Sequence, residues 1–241
     1  MTLAEPRTVP VFPPLMRGEP AAPGQEPVAQ AIARASLGTD PGLIVWRADA
    51  DRVEAALVLA PEEPLARAMG AVFAVSLGFG DALGALAPPE VAVHFEWPGT
   101  IRVNGARAAW VTARASTADP EAEPDWLIAG LSVALLPPDP DAPGATPEAT
   151  GLYAEGCAEV GSVELLEAWA RHTLSWLNRL SGEGFEPLHR DWRARAWRMG
   201  EALPGGEGVF VGLDEAGGQL VKAEGSTRLR PLTEILGEGA P

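Results

Sequence analysis

Apolar residues come in short blocks along this chain, and their spacing changes from block to block. LIVWR (43–47) and RVEAALVLA (52–60) are compact runs rich in Val and Leu, which predict two strands joined by a very short turn from Ala48 to Asp51. From Pro64 to about Leu86 the run is long, apolar and rich in small residues, and it predicts a buried helix, with Gly78, Gly80 and Gly84 weakening it after Leu77. In VAVHFEW the alternation returns, so Val91, Val93, Phe95 and Trp97 share one face. Asn104-Gly105, flanked by alternating runs, predicts a two-residue hairpin. DWLIAGLSVALLP (125–137) is apolar almost throughout, as a central strand is.

The two ends read differently. Residues 1–25, rich in Pro and Gly, predict an irregular arm, pinned to the body by Phe12 and Leu15. Residues 26–37 predict a short helix with Pro27 near its start and Gly38 as its stop. Residues 138–149 predict a loop. Ser162 predicts the cap of a helix reaching about Leu180, and a second helical stretch from about Glu186 to Met199 carries Trp192 and Trp197. Three short strands follow at 208–213, 218–223 and 226–230, then a turn of helix. The expected division is an arm (1–25), a main domain (26–203) and a small β module (204–241). A module of that size buries too little to fold alone, so it should dock, with Trp192 or Trp197 as anchor.

Composition narrows the function. The 241 residues carry 33 acidic and 18 basic side chains, a net charge of −15. A nucleic-acid binder needs a basic face, so none is expected as a partner. No stretch reads as the roughly 20 apolar residues of a membrane span, and the start has no secretory pattern, so a cytoplasmic protein is expected. The single cysteine, Cys157, excludes a disulfide framework and reads as a buried structural thiol. His94, His172 and His189 lie apart and without ligand spacing, so no metal is expected. Lys222 is the one lysine, and a mechanism that needs a lysine must use it.

Several segments, in order, resemble the biotin/lipoate–protein ligase family. Trp97-Pro98-Gly99-Thr100-Ile101-Arg102-Val103-Asn104-Gly105 is similar to its W-P-N-D-[IL]-x-[VL]-N-G segment, and Leu127 to Ala134 is similar to its V-I-G-I-G-[IL]-N strand. Ala149-Thr150-Gly151-Leu152 resembles A-T-S-L, residues 165–193 resemble the helix pair around G-F-x-P-L, and residues 208–232 resemble the C-terminal barrel. The resemblance spans about residues 43–236. It implies an α+β fold (α/β in the broad sense): a class II synthetase-like mixed sheet flanked by helices, with an SH3-like C-terminal barrel. It places candidate pocket residues at Trp97, Thr100, Arg102, Asn104, Arg107, Trp110 and Ser132. Members of the family activate a vitamin carboxylate with ATP and pass it to a carrier-domain lysine.

The departures bear on that chemistry. Trp46-Arg47-Ala48-Asp49-Ala50-Asp51-Arg52 stands where the family has its G-R-G-R-x-G-R loop, and a phosphate cradle needs N–H groups and cations, not carboxylates. Arg107 replaces the family's lysine and Trp110 its glycine; arginine keeps the charge without the point-like geometry. The leading expectation is therefore a family member with a degenerate site and no catalytic residue. It would bind a small carboxylic acid, a carrier domain or another protein, with no cofactor, in a small apolar cavity filled by Trp110. Two other readings stay open: a divergent active ligase using ATP and biotin or lipoate, and an interaction module that kept only the scaffold. Across the hairpin Arg102 should face Arg107, which fits either an anion site or two solvated arginines paired with surface carboxylates.

Overall fold

The computed structural model describes residues 9–38, 41–139 and 146–237. Ten strands and five α-helices are arranged as β1 (Arg17–Pro20), α1 (Pro27–Ser36), β2 (Leu43–Ala48), β3 (Arg52–Leu59), α2 (Leu65–Ala68), α3 (Gly70–Leu86), β4 (Val93–Glu96), β5 (Thr100–Val103), β6 (Ala106–Ala115), β7 (Leu127–Ala134), α4 (Ser162–Glu183), α5 (Glu186–Ala194), β8 (Val209–Leu213), β9 (Gln219–Ala223) and β10 (Ser226–Arg230). The first seven strands form a mixed sheet in the order β1-β2-β3-β7-β6-β5-β4, with β7 at its centre. Only β1 and β2 are parallel. Strands β8 to β10 make a separate antiparallel meander, so the expected barrel is an open three-stranded sheet.

Alternation splits the large sheet into two unlike faces. Ile44, Val53, Ala55, Leu57, Ile101, Val111, Leu127, Leu131 and Val133 point to the main core, beneath α3 and α4. On the other face only Leu43, Val45, Ala56, Val58 and Ile128 are covered, by Ala31 and Ala35 of α1. Elsewhere that face carries polar side chains together with the half-buried Trp110, and Glu54 among them is buried.

Helix α3 is apolar all round and buried almost throughout, as a helix enclosed by sheet and partner helix must be. The run Leu65–Leu86 is in fact long and apolar enough for a membrane span, contrary to the sequence expectation, but 78% of its most apolar window is inside the fold. The helix runs on through Gly78, Gly80 and Gly84 to Leu86. Gly78 lets α4 approach: a Cβ there would lie 2.8 Å from both the Cα and the backbone nitrogen of Thr173.

Three local expectations fail. The arm is not irregular throughout, because Arg17–Pro20 form β1 beside β2, and Leu15 is exposed, leaving Phe12, whose ring lies against Gly18, to pack on the body. Helix α4 is entered from Gly161 with no side-chain cap, because Ser162 is already helical, and it runs on to Glu183. Helix α5 stops at Ala194 rather than Met199. Beyond it the chain pairs with the outer edge of β4: Phe95 donates its N–H to Arg195 at 2.9 Å and accepts from Trp197 at 2.7 Å.

The three-stranded sheet is joined to the core through a tryptophan other than those expected. Trp97 is buried and donates Nε1–H to the carbonyl of Gly217 at 3.0 Å, while the Arg230 guanidinium lies 4.8 Å over its ring. Phe210, Leu232 and Ile235 are buried in the same core. Trp192 packs instead on Phe73 and Phe95, and Trp197 on His94 and Arg102.

Candidate functional site

On the open face of the sheet the ladder registers align one row of side chains across six strands: Arg47, Glu54, Ser132, Trp110, Thr100 and Glu96. The next positions on β6 toward α1 are Thr112, opposite Gly130, and Arg114, opposite Ile128. Gly130 is required there: a Cβ would come within 2.6 Å of the Thr112 hydroxyl and 2.9 Å of Val28 on α1.

Between α1 and this face lies a groove of about 350 Å³, lined by Glu26, Pro27, Val28, Glu54, Thr112, Arg114 and Ser132. At one end the half-buried Arg114 donates only to its neighbour's carbonyl, Ala113, at 2.7 Å, and it has no carboxylate partner among the described residues. On the floor, the Thr112 and Ser132 hydroxyls likewise have no hydrogen-bond partner among the described residues. At the other end Glu54 is held by Arg47 at 3.0 Å. Burial, aided by the charge of Glu26, raises the Glu54 carboxyl above its ordinary value, against the pull of Arg47 and Arg52. The groove thus offers an unpaired cation, two free hydroxyls and a buried carboxylate around an aliphatic wall.

A second hollow of about 420 Å³ lies on the other side of Ser132. Its walls include Arg52, Trp110, Ser132, Pro137 and Thr150. A third, of about 470 Å³, opens between the hairpin and the three-stranded sheet and is bordered by Trp97, Arg102, Arg107, Trp197 and Arg230.

The seven candidate residues therefore do not enclose one cavity. Thr100, Trp110 and Ser132 stand in the central row, and Trp110 is half-buried on the open face rather than filling an enclosed space. Trp97 belongs to the core and the third hollow. Asn104, at the turn with φ +50°, accepts from Ala92 N–H at 3.0 Å and donates to Glu155 at 3.0 Å. Arg102 does face Arg107 across the hairpin. Arg102 is 6% exposed and bonds Glu96 at 2.6 Å, the Gly105 carbonyl at 2.7 Å and Glu148 at 3.2 Å, with the Trp197 ring 4.9 Å away. Arg107 is exposed and donates to the Glu148 carbonyl at 3.2 Å. Carboxylates hold Arg102, as one sequence reading had it, but the guanidinium they hold is buried rather than solvated.

Thr112, Arg114, Glu54 and Glu26 were not among the sequence candidates. A signal for the first two exists in AWVTARA, where Trp110, Thr112 and Arg114 alternate with Val111 and Ala113. Cys157 is buried with its thiol pushed up by burial and by Glu155, which disfavours the reactive thiolate. No three metal-ligating side chains converge among the described residues.

A seven-stranded mixed sheet with α3 and α4 on its core face and α1 on the other defines an α+β protein. The chain belongs to the biotin/lipoate A/B protein ligase family, whose profile matches residues 12–194. A biotin–[acetyl-CoA-carboxylase] ligase from Paracoccus denitrificans is 28% identical over 198 residues, spanning 79% of this chain and 82% of that protein. The crystal structure of a biotin protein ligase-like protein of unknown function from Silicibacter sp. TM1040 is 50% identical. It superposes with a TM-score of 0.89, covering 95% of this chain and 100% of that one. The apo biotin protein ligase of Aquifex aeolicus shares the fold, with a TM-score of 0.68 at 17% identity over 85% of this chain and 91% of that one.

Proposed function

We propose that this protein binds a small carboxylic acid in the α1 groove and does not activate it. The observation that carries this reading is Arg114, a half-buried guanidinium without a carboxylate partner, facing a groove whose two floor hydroxyls are also free. A carboxylate would complete a charge-assisted bond there.

The residues beside the groove do not fit a triphosphate. Strands β2 and β3 are joined by a tight turn closed by Asp49 N–H to the Arg52 carbonyl at 2.9 Å. That turn offers Asp49 and Asp51 where a phosphate would need glycine N–H groups and cations. Lys222, the single lysine, is exposed on β9 in the other sheet. Positioning and charge stabilisation of an acyl-adenylate would both have to come from elsewhere.

A thermal-shift screen with biotin, lipoate, octanoate and ATP tests the reading, since a ligand at a hundred times its Kd stabilises the native state by about 2.7 kcal/mol. An acid is expected to raise Tm and ATP is not. Acid-dependent pyrophosphate exchange at an enzyme-like rate would instead make the protein an active ligase, and a flat response to every acid would leave the groove without this role.

A further inference from the structure

We infer that the α1 groove selects short carboxylic acids and that Trp110 is the residue that sets the length limit. The inference rests on the acid-binding reading above and adds a specificity determinant to it. Arg114 and Ser132 mark the two ends of the available floor. Arg114 pairs with Ile128 on β7, and Ser132 lies four residues further along that strand, which is about 14 Å at about 3.4 Å per residue. The long side chain of Arg114 takes up part of that span.

Ser132 borders both the groove and the second hollow, so the two spaces meet at this residue. Trp110 stands directly opposite Ser132 in the β6–β7 ladder and forms a wall of the second hollow. Trp110 does not line the groove itself, so a ligand that extends past Ser132 meets the indole as it enters the second hollow. Beside it the row continues with the Glu54–Arg47 ion pair, which gives an aliphatic tail no apolar exit on that side. A tail pressed against the free Ser132 and Thr112 hydroxyls would also desolvate them without a replacement bond, a cost that offsets the gain from each buried methylene.

Calorimetry with a series of straight-chain acids from propionate to decanoate, with wild type, Trp110→Ala and Arg114→Gln, tests this. In wild type, affinity is expected to hold for the short acids and to fall at least tenfold once the chain reaches the indole. Trp110→Ala should move that break to longer acids, and a crystal structure of the variant should show the two hollows joined. Arg114→Gln should weaken every acid at least tenfold. A break that stays put in Trp110→Ala, or wild-type affinity that climbs steadily with length, would overturn the role of Trp110 while leaving acid binding in place. No binding to wild type, or binding indifferent to Arg114→Gln, would overturn both.

Discussion

The indole of Trp97 and the carbonyl of Gly217 are hydrogen-bonded across the boundary between the two sheets, at 3.0 Å and out of reach of solvent. Gly217 has φ +82° and no room for a side chain, since a Cβ would lie 2.9 Å from Phe73. The bond therefore clamps a backbone turn onto the core. Trp97→Phe keeps an aromatic ring but leaves that carbonyl buried and unpaired, and should cost about 1–3 kcal/mol, read as a lower Tm. Removing residues 206–241 exposes Trp97 together with the surface that buries Phe210, Leu232 and Ile235. The truncated protein should aggregate. A monomer with an unchanged Tm would show that the three-stranded sheet is merely tethered.

Two glycines of α3 should respond oppositely to alanine. At Gly84 nothing lies within 4 Å of a built Cβ, so Gly84→Ala should gain up to about 1 kcal/mol of helix propensity. At Gly78 the same change drives a methyl into the Thr173 backbone and should cost about 1–3 kcal/mol by overpacking. Urea denaturation of both variants separates the two, and a stabilised Gly78→Ala would mean that α3 and α4 can part.

Arg102 tests the hairpin network. Its fork serves Glu96, Glu148 and the Gly105 carbonyl together. Lysine keeps the charge but not the fork, so Arg102→Lys should lose about 1–3 kcal/mol, on the scale of bonds to charged groups. An unchanged denaturation midpoint would show that the glutamates, which are more exposed than the arginine, hold it only loosely.

Glu54 gives the groove a pH signature. Its folded pKa lies above the ordinary 4.5, first through burial and then through Glu26. A carboxyl raised in this way contributes stability that is fully present below its unfolded value and is lost as pH rises through the folded value. The Tm of Glu54→Gln relative to wild type should therefore climb as pH rises from below 4.5 toward neutrality. A difference that is flat or falls over that window would place the Glu54 carboxyl in a better solvated setting.

Much of the scaffold is legible in the sequence because its signals are local. Asn104-Gly105 takes left-handed φ at both positions, +50° and +94°, which is what that dipeptide favours, and the pairing of Arg102 with Arg107 follows from it. The apolar runs become β2, β3 and β7 because burial on both faces leaves little choice. What fails is long-range. Trp97 alternates correctly onto the core face, but nothing near it in the chain announces Gly217 as its partner. The stretch after Ala194 has a helical composition, and the unfilled edge of β4 draws it away. Arg114 is readable as an outward position on β6, whereas its lack of a partner is a property of the whole face.

The segment Arg195–Trp197 has a consequence for how copies of this chain can meet. By occupying the outward N–H and carbonyl of Phe95, it removes from one rim of the large sheet the template that another chain's strand would use. The opposite rim is β1, four residues long and ending in Pro20, whose nitrogen has no hydrogen to offer. Short edges and proline are the means by which sheets avoid unwanted extension. Both rims of the sheet are thus poor templates for a further strand, and contacts between copies of this chain are directed toward its faces and loops.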